Sequence, residues 1–482
     1  MGSILIRGAK LADPEKICCE RLDLLCRNGV IEKIEKNIQD PADKTVDAQS
    51  LALLPGLVDM HVHLRDPGLT YKEDVFTGCR AAAAGGVTSL LAMPNTKPPM
   101  DSPALVEELL QRAESACCRV YPAVCITKGM KGEELAPFME LQKAGAVALT
   151  DDGRPVENSL LMARAMKEAA SLGLRVVSHC EDLYLSQGGL MNEGAVSREL
   201  NVPGVPAASE NAATAREIAL AESYGVPIHI CHVSTAVSAA MIRDAKKRGV
   251  QVTGETAPHY LLLTEEALRK KNADWRMSPP LRTDEDRRAL LEALRDGTLD
   301  AIATDHAPHS EEDKADFYRA PNGSIGMETA LSACYTALVK PGYLTLPELI
   351  AKMSLNPARL LKLPGGTLRA GGPADFAVFD EKRRWTVERD RRQGKEDETP
   401  VRAGPPITYS RRTGVFRRTP HTPHTTPTAL PPPMDGGPGQ APWQVQKHPV
   451  SWYVPVRQGG HDRMPGRNSL PGRLSRQVEE KR

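Results

Sequence analysis

The stretch Leu57-Val58-Asp59-Met60-His61-Val62-His63-Leu64-Arg65-Asp66-Pro67-Gly68 decides how this 482-residue chain is read. Pro55-Gly56 ahead of it and the apolar run from Leu57 mark a short buried strand. Residues two apart on a strand point the same way, so His61 and His63 reach one point and can share a metal ion. Arg65, two positions on, sets a cationic fork beside that ion, suited to a substrate carboxylate. Taken alone, the His-x-His pair also fits two core histidines near a turn.

Working outward, strand-like runs at 57–63, 87–93, 120–125, 147–150, 175–179, 227–232, 251–256 and 300–304 alternate with helical runs. The helical runs include Tyr71–Ala84, Ala104–Ser115, Ser159–Leu172, Glu210–Tyr224, Ala236–Arg248 and Glu285–Arg295. This pattern predicts an α/β chain with a parallel (β/α)8 barrel over 55–364, a doubly wound sheet being the alternative. Metal-capable residues fall where the predicted strands end, the face on which barrel enzymes build their sites. They are His61 and His63, Asp151 and Asp152, His179, His232, and Asp305. Four histidines and two carboxylates suit one or two divalent ions, and imidazole-rich ligation favours zinc. Strand parity allows only one of Asp151 and Asp152 to face the metal. If His232 faces the barrel, parity sends His229 to the helix layer in a structural role. Cys180 reads as a small buried thiol, and His259 as structural.

Residues 1–54 read as strands, with Asn28-Gly29 as a hairpin turn. Gly371–Asp380, within a return segment 365–388, is strand-like again and is expected to rejoin them in a flanking β-sandwich. Residues 381–482 hold 20 Lys+Arg against 10 Asp+Glu, leaving 42 against 51 for residues 1–380. The acidic main body argues against a nucleic-acid partner. The tail 389–482, rich in Arg and Pro, is expected to be disordered or read out of frame. No apolar run approaches a membrane span of about 20 residues. Ten cysteines without a Cys-x-x-Cys pair indicate reduced thiols and a cytoplasmic setting.

The stretches His61–Gly68, Met93-Pro94-Asn95-Thr96, Thr150–Gly153, His179–Asp182, Cys231–Ser234, Ser278–Arg282 and Ala303–His309 together resemble the longer bacterial dihydroorotases of the amidohydrolase superfamily. The similarity covers about residues 1–388. It implies reversible cyclisation of N-carbamoyl-L-aspartate to L-dihydroorotate in pyrimidine synthesis. It also implies two zinc ions, one on His61, His63 and Asp305 and the other on His179 and His232, bridged by Asp152. A bridging aspartate separates this family from hydantoinases, dihydropyrimidinases and allantoinases, in which a carbamylated lysine usually bridges. Asp305 is implied as the catalytic base and then acid. His63, Arg65, Asn95, Ser278, His309, Asn322 and Gly323 are implied as substrate contacts. A homo-oligomer, and association with aspartate carbamoyltransferase, complete the implied partners. Ser278 stands where relatives usually have Asn, and Pro321-Asn322-Gly323 where they often have Pro-Phe-Gly. The loop Ser310–Ile325, with Gly323 as hinge, is expected to gate the pocket. A hydantoinase-like hydrolase and an inactive scaffold are the rival functions.

Overall fold

A computed structural model describes residues 2–384. The tail 389–482 and the end of the 365–388 segment lie outside the described residues. The chain opens with β1 (Ser3–Asp13), β2 (Cys18–Arg27), β3 (Val30–Glu35), β4 (Lys44–Asp47) and β5 (Ala52–Pro55). Asn28 and Gly29 turn β2 into β3 with φ of 50° and 81°, the left-handed pair that matches strand twist.

Then come β6 (Leu57–Val62), β7 (Val87–Ala92), β8 (Arg119–Val124), β9 (Ala148–Leu149) and β10 (Arg175–Ser178). A two-stranded excursion, β11 (Met191–Asn192) with β12 (Gly204–Val205), precedes β13 (Ile228–Ile230), β14 (Val252–Thr256) and β15 (Ala301–Ile302). Omitting β11 and β12, β6 to β15 form one eight-stranded parallel sheet in chain order. A parallel bridge between Val62 and His306, with His63 N donating to His306 O at 2.8 Å, joins its two ends. The sheet therefore closes as a (β/α)8 barrel. Met60, Leu91, Ala123, Ala148, Val177, Cys231 and Ala301 pack together in its interior. Leu90, Val124, Leu149, Val176, Ile228 and Ile230 pack in the larger core with the helices. This two-layer burial is why the strands read as continuous apolar runs.

β16 (Phe376–Phe379) returns after the barrel and pairs antiparallel with β5. Leu53, Phe376 and Val378 face the core of the N-terminal sheet, whereas Leu54, Ala377 and Phe379 join the barrel core. One short strand pair thus glues the two units through its alternating faces.

The first barrel helix starts at Val75, later than the helical pattern from Tyr71 suggests. Asp74 caps it by accepting from Phe76 N and Thr77 N at 2.9 and 2.8 Å. The freed residues 65–73 become a loop at the rim of the barrel. The pattern also omits the helices Phe138–Ala144 and Ala195–Leu200, which are too short to show a period.

Where β6 meets the strand-8 side, Asp59 accepts from Thr304 N at 3.0 Å, Thr304 Oγ1 at 2.5 Å and His61 N at 3.3 Å. Burial pushes its carboxyl up to about 6, against those hydrogen bonds. Asp59→Ala orphans buried donors and should cost about 2–3 kcal/mol in chemical denaturation. Asp59→Asn, still able to accept from Thr304 N, should lose far less. An acid raised in the folded state destabilises as it ionises, so the wild type should weaken relative to Asp59→Asn from about pH 4 to pH 6.

Candidate metal centre

The β6–β7 register slips between Asp59 and Val62. Such an irregularity re-aims side chains. Here it leaves Met60 inside the barrel and turns His61 and His63 towards its mouth, ring centroids 5.3 Å apart. Asp152, following β9, lies among all four histidines. Its carboxylate is 3.4 Å from His61 Nε2, 3.5 Å from His63 Nε2, 3.4 Å from His179 Nδ1 and 3.8 Å from His232 Nε2. Asp305, following β15, comes within 3.2 Å of His63 Nε2 and 3.6 Å of His61 Nε2. His179 Nδ1 and His232 Nε2 are 2.8 Å apart. All six predicted ligands are thus brought together and buried.

The hydrogen bonds behind the rings show which nitrogen each has free. His61 Nδ1–H donates to Glu255 at 3.2 Å, and His63 Nδ1–H donates to Asn95 Oδ1 at 2.7 Å. His179 Nε2–H donates to Glu181 at 2.8 Å. Each inward nitrogen then offers a lone pair to a space shared with carboxylate oxygens, the arrangement that outer partners impose on metal-binding imidazoles. His61 Nε2 and Asp152 Oδ1 are buried without a hydrogen-bond partner. Lone pairs facing carboxylates repel unless a cation lies between them, so the donor set fits a divalent metal. Burial acts to raise both carboxyls, yet positive charge on the ring side, a proton where no ion is bound, holds Asp152 and Asp305 well below the usual range.

Parity on β13 misleads for His229. His232 lies past the strand end at φ 35°, so the alternation has already broken there. His229 shares its side with Cys231 inside the barrel, its Nε2 3.3 Å from Glu255 and its Nδ1 2.9 Å from Thr253 Oγ1. Glu255, flanked by His61 and His229, is held down to about 2 against its burial. It escapes the sequence reading, although an acid inside a buried strand was a usable signal. Asp151 turns away, accepting from Ile126 N at 2.7 Å and Thr127 N at 3.2 Å. Cys180 is buried, and no disulfide forms among the ten cysteines. His259 follows β14, half-buried with Nε2 enclosed and unbonded; burial pushes its ring down to about 4.

Beside the histidines, Asn95 Nδ2 donates to Asp152 Oδ2 at 3.2 Å. Arg65 is buried, donating through Nε to Pro308 O at 3.2 Å, with Nη2 3.4 Å from His309. His309 Nε2 donates to Asn322 O at 2.8 Å. A Cβ on Gly323, at φ 135°, would sit 2.6 Å from Ala307 O and 2.9 Å from His309 Nε2, so only glycine lets this turn close on the site. Ser278 is half-buried, and no hydrogen bond among the described residues ties it to the histidines. In the loop after β15, Lys314 is buried and donates to Pro321 O and Arg276 O at 2.9 and 3.3 Å. Arg65, His232 and Asp305 all sit at positive φ (60°, 35° and 48°), backbone strain of the kind that clusters at functional sites.

A closed parallel barrel with this His/Asp cluster at its C-terminal mouth is the architecture of an amidohydrolase. Residues 51–238 match the family described as dihydro-orotase-like, and 205–408 the amidohydrolase family. A dihydroorotase of Geobacter metallireducens is 49% identical over 401 residues, 83% of this chain and 94% of that protein. One of Syntrophus aciditrophicus is 50% identical over 398 residues, 81% and 93% of the respective chains. The chain belongs to the dihydroorotase family. Among solved structures, the L-hydantoinase (dihydropyrimidinase) of Arthrobacter aurescens superposes with TM-score 0.74 at 25% identity, covering 85% of this chain and 93% of that one.

Asp152→Ala should abolish metal retention by elemental analysis. Asp151→Ala should keep its metal but lose about 1–3 kcal/mol of stability, because backbone donors are orphaned. Equal metal content in both variants would overturn the assignment of Asp152 rather than Asp151.

Proposed function

We propose that the chain is a zinc-dependent dihydroorotase, interconverting N-carbamoyl-L-aspartate and L-dihydroorotate. The observation that carries this is the cluster itself, two aspartates among four histidines, with Arg65, His309 and Asn95 beside it. His61, His63 and Asp305 would hold one ion, His179 and His232 a second, with Asp152 shared between them. When bound, such ions supply an acidified water and a Lewis acid for the ring amide carbonyl.

The protein's own groups do the rest. In the hydrolytic direction a C–O bond forms at the ring carbonyl and the ring C–N bond breaks. Asp305, held ionised by the positive charge beside it, accepts the water's proton and returns it to the departing nitrogen. Arg65, already desolvated and fixed by Pro308 O, meets the substrate carboxylate as a planar fork, with His309, Asn95 and the 322–323 turn as further contacts. Ser278, shorter than asparagine, would meet the substrate by a shorter reach or through its backbone. The loop Ser310–Ile325 acts as the cover of the pocket.

Hydantoinase activity is disfavoured because Thr150-Asp151-Asp152-Gly153 offers no lysine to bridge ions and because Arg65 demands a carboxylate. An inactive scaffold is disfavoured because every ligand position is filled. No helix among the described residues is long and apolar enough to cross a membrane. A small-molecule substrate, a homo-oligomer in the cytoplasm, and association with aspartate carbamoyltransferase complete the reading.

The wild type should turn over dihydroorotate and leave hydantoin nearly untouched; faster hydantoin hydrolysis would overturn the assignment. Asp305→Asn should lower kcat by about 10³-fold, the scale of a lost general acid–base group. Arg65→Lys should raise KM about tenfold or more with a smaller change in kcat, since an ammonium cannot reproduce the fork.

A further inference from the structure

We propose that Lys72 is a positioning residue for the carboxylate end of the site, holding His309 as a neutral imidazole with its proton on Nε2. The inference rests on reading Arg65 and His309 as the carboxylate contacts. It begins from the two shortest hydrogen bonds of His309; Arg65 Nη2, also donor-only, lies farther from the same Nε2, at 3.4 Å, and gives way to the 2.8 Å bond to Asn322 O. Lys72 Nζ lies 3.0 Å from His309 Nδ1, and an ammonium can only donate. His309 Nε2 lies 2.8 Å from Asn322 O, and a carbonyl can only accept. Nδ1 is therefore unprotonated and Nε2 carries the hydrogen.

Lys72 sits in the rim loop between β6 and the helix at Val75, and its side chain is only 12% exposed. Asp313, across the site on the loop after β15, holds its ammonium at 3.1 Å. Asp313 is itself fixed, its N donating to Ser310 Oγ at 3.2 Å and its Oδ2 accepting from Ser310 N at 3.4 Å. Lys72 thus joins two loops that the chain separates by more than two hundred residues, and presents its proton to one ring nitrogen.

The charged groups facing His309 are Arg65, Lys72 and Lys314 on the cationic side and Asp313, 3.8 Å from Nδ1, on the anionic side. Burial and the three cations together keep the ring uncharged. The consequence is selectivity. A neutral ring with Nε2–H can move its donor from Asn322 O to an incoming carboxylate beside Arg65. The other tautomer would turn a lone pair towards that carboxylate. An imidazolium would add an unselective positive charge instead of a directed donor. Lys72 acts through His309 in this scheme.

The test compares metal-loaded wild type, Lys72→Met and Lys72→Arg by 15N NMR of labelled histidines and by steady-state kinetics on dihydroorotate. In the wild type, His309 Nδ1 should stay unprotonated from pH 6 to 9. In Lys72→Met, Nδ1 is released towards Asp313 and should take the ring's hydrogen, so the labelled ring should change from the Nε2–H to the Nδ1–H tautomer. KM should rise about fivefold or more, with kcat within about twofold and metal content unchanged. Lys72→Arg restores a donor at Nδ1 and should recover both the ring state and KM. A wild-type His309 signal and KM in Lys72→Met would overturn the proposal. So would a joint loss of metal, kcat and KM that Lys72→Arg does not rescue. If the wild type fails to turn over dihydroorotate, the functional reading falls, and the NMR arm still decides what Lys72 does to His309.

Discussion

Everything at the mouth of this barrel depends on how its first and last strands are joined. Asp59 ties β6 to Thr304 by side-chain and backbone hydrogen bonds, and His63 N reaches His306 O one step higher. That seam sets the distance between the two histidines of β6 and the aspartate after β15. A buried carboxylate is costly unless saturated with donors. Asp59 meets that condition with three donors and fixes this register. Loosening the seam would leave most of the barrel packed yet separate His61 and His63 from Asp305.

The site above the seam is built from opposed charges. Two aspartates face inward, while Glu255, Asn95 and Glu181 stand behind His61, His63 and His179 as proton acceptors. Those outer acceptors orient the rings and make the inward nitrogens better electron donors. Glu255 serves His61 and His229 at once, so a strand that contributes no predicted ligand still governs the centre. The positive φ values at Arg65, His232 and Asp305 show the backbone bent to the site's needs, its strain sustained by the packed barrel beneath.

The barrel was legible in the sequence because its strands are apolar on both faces and the histidines and aspartates gathered at its mouth fall where those runs end. Divergence of neighbours on an extended chain allowed only one of Asp151 and Asp152 to face the site, and the family resemblance singled out Asp152. Parity failed at His229 because it was counted from His232, which has already left the strand. Asp74 moved a helix start because a capping side chain outweighs the weak periodicity before it. Glu255 and Lys72 stayed hidden for another reason. Their partners are 194 and 237 residues away in the chain, and no local pattern encodes a contact of that range.

The same barrel superposes on hydantoinases at 25% identity, so specificity must come from groups the scaffold does not dictate. Dihydroorotate differs from a simple cyclic ureide by a carboxylate, and the function proposed above assigns that charge to Arg65 and His309. A neutral cyclic amide would leave the buried guanidinium facing a cavity without an anion. A site that loses its counter-charge discriminates more strongly than one that merely loses apolar contact. The neutral state of His309 sharpens this further, since the anion then meets one fixed cation and one directed donor. Under that assignment, selectivity for an acid would follow from an arginine taken out of water and a histidine denied its second proton.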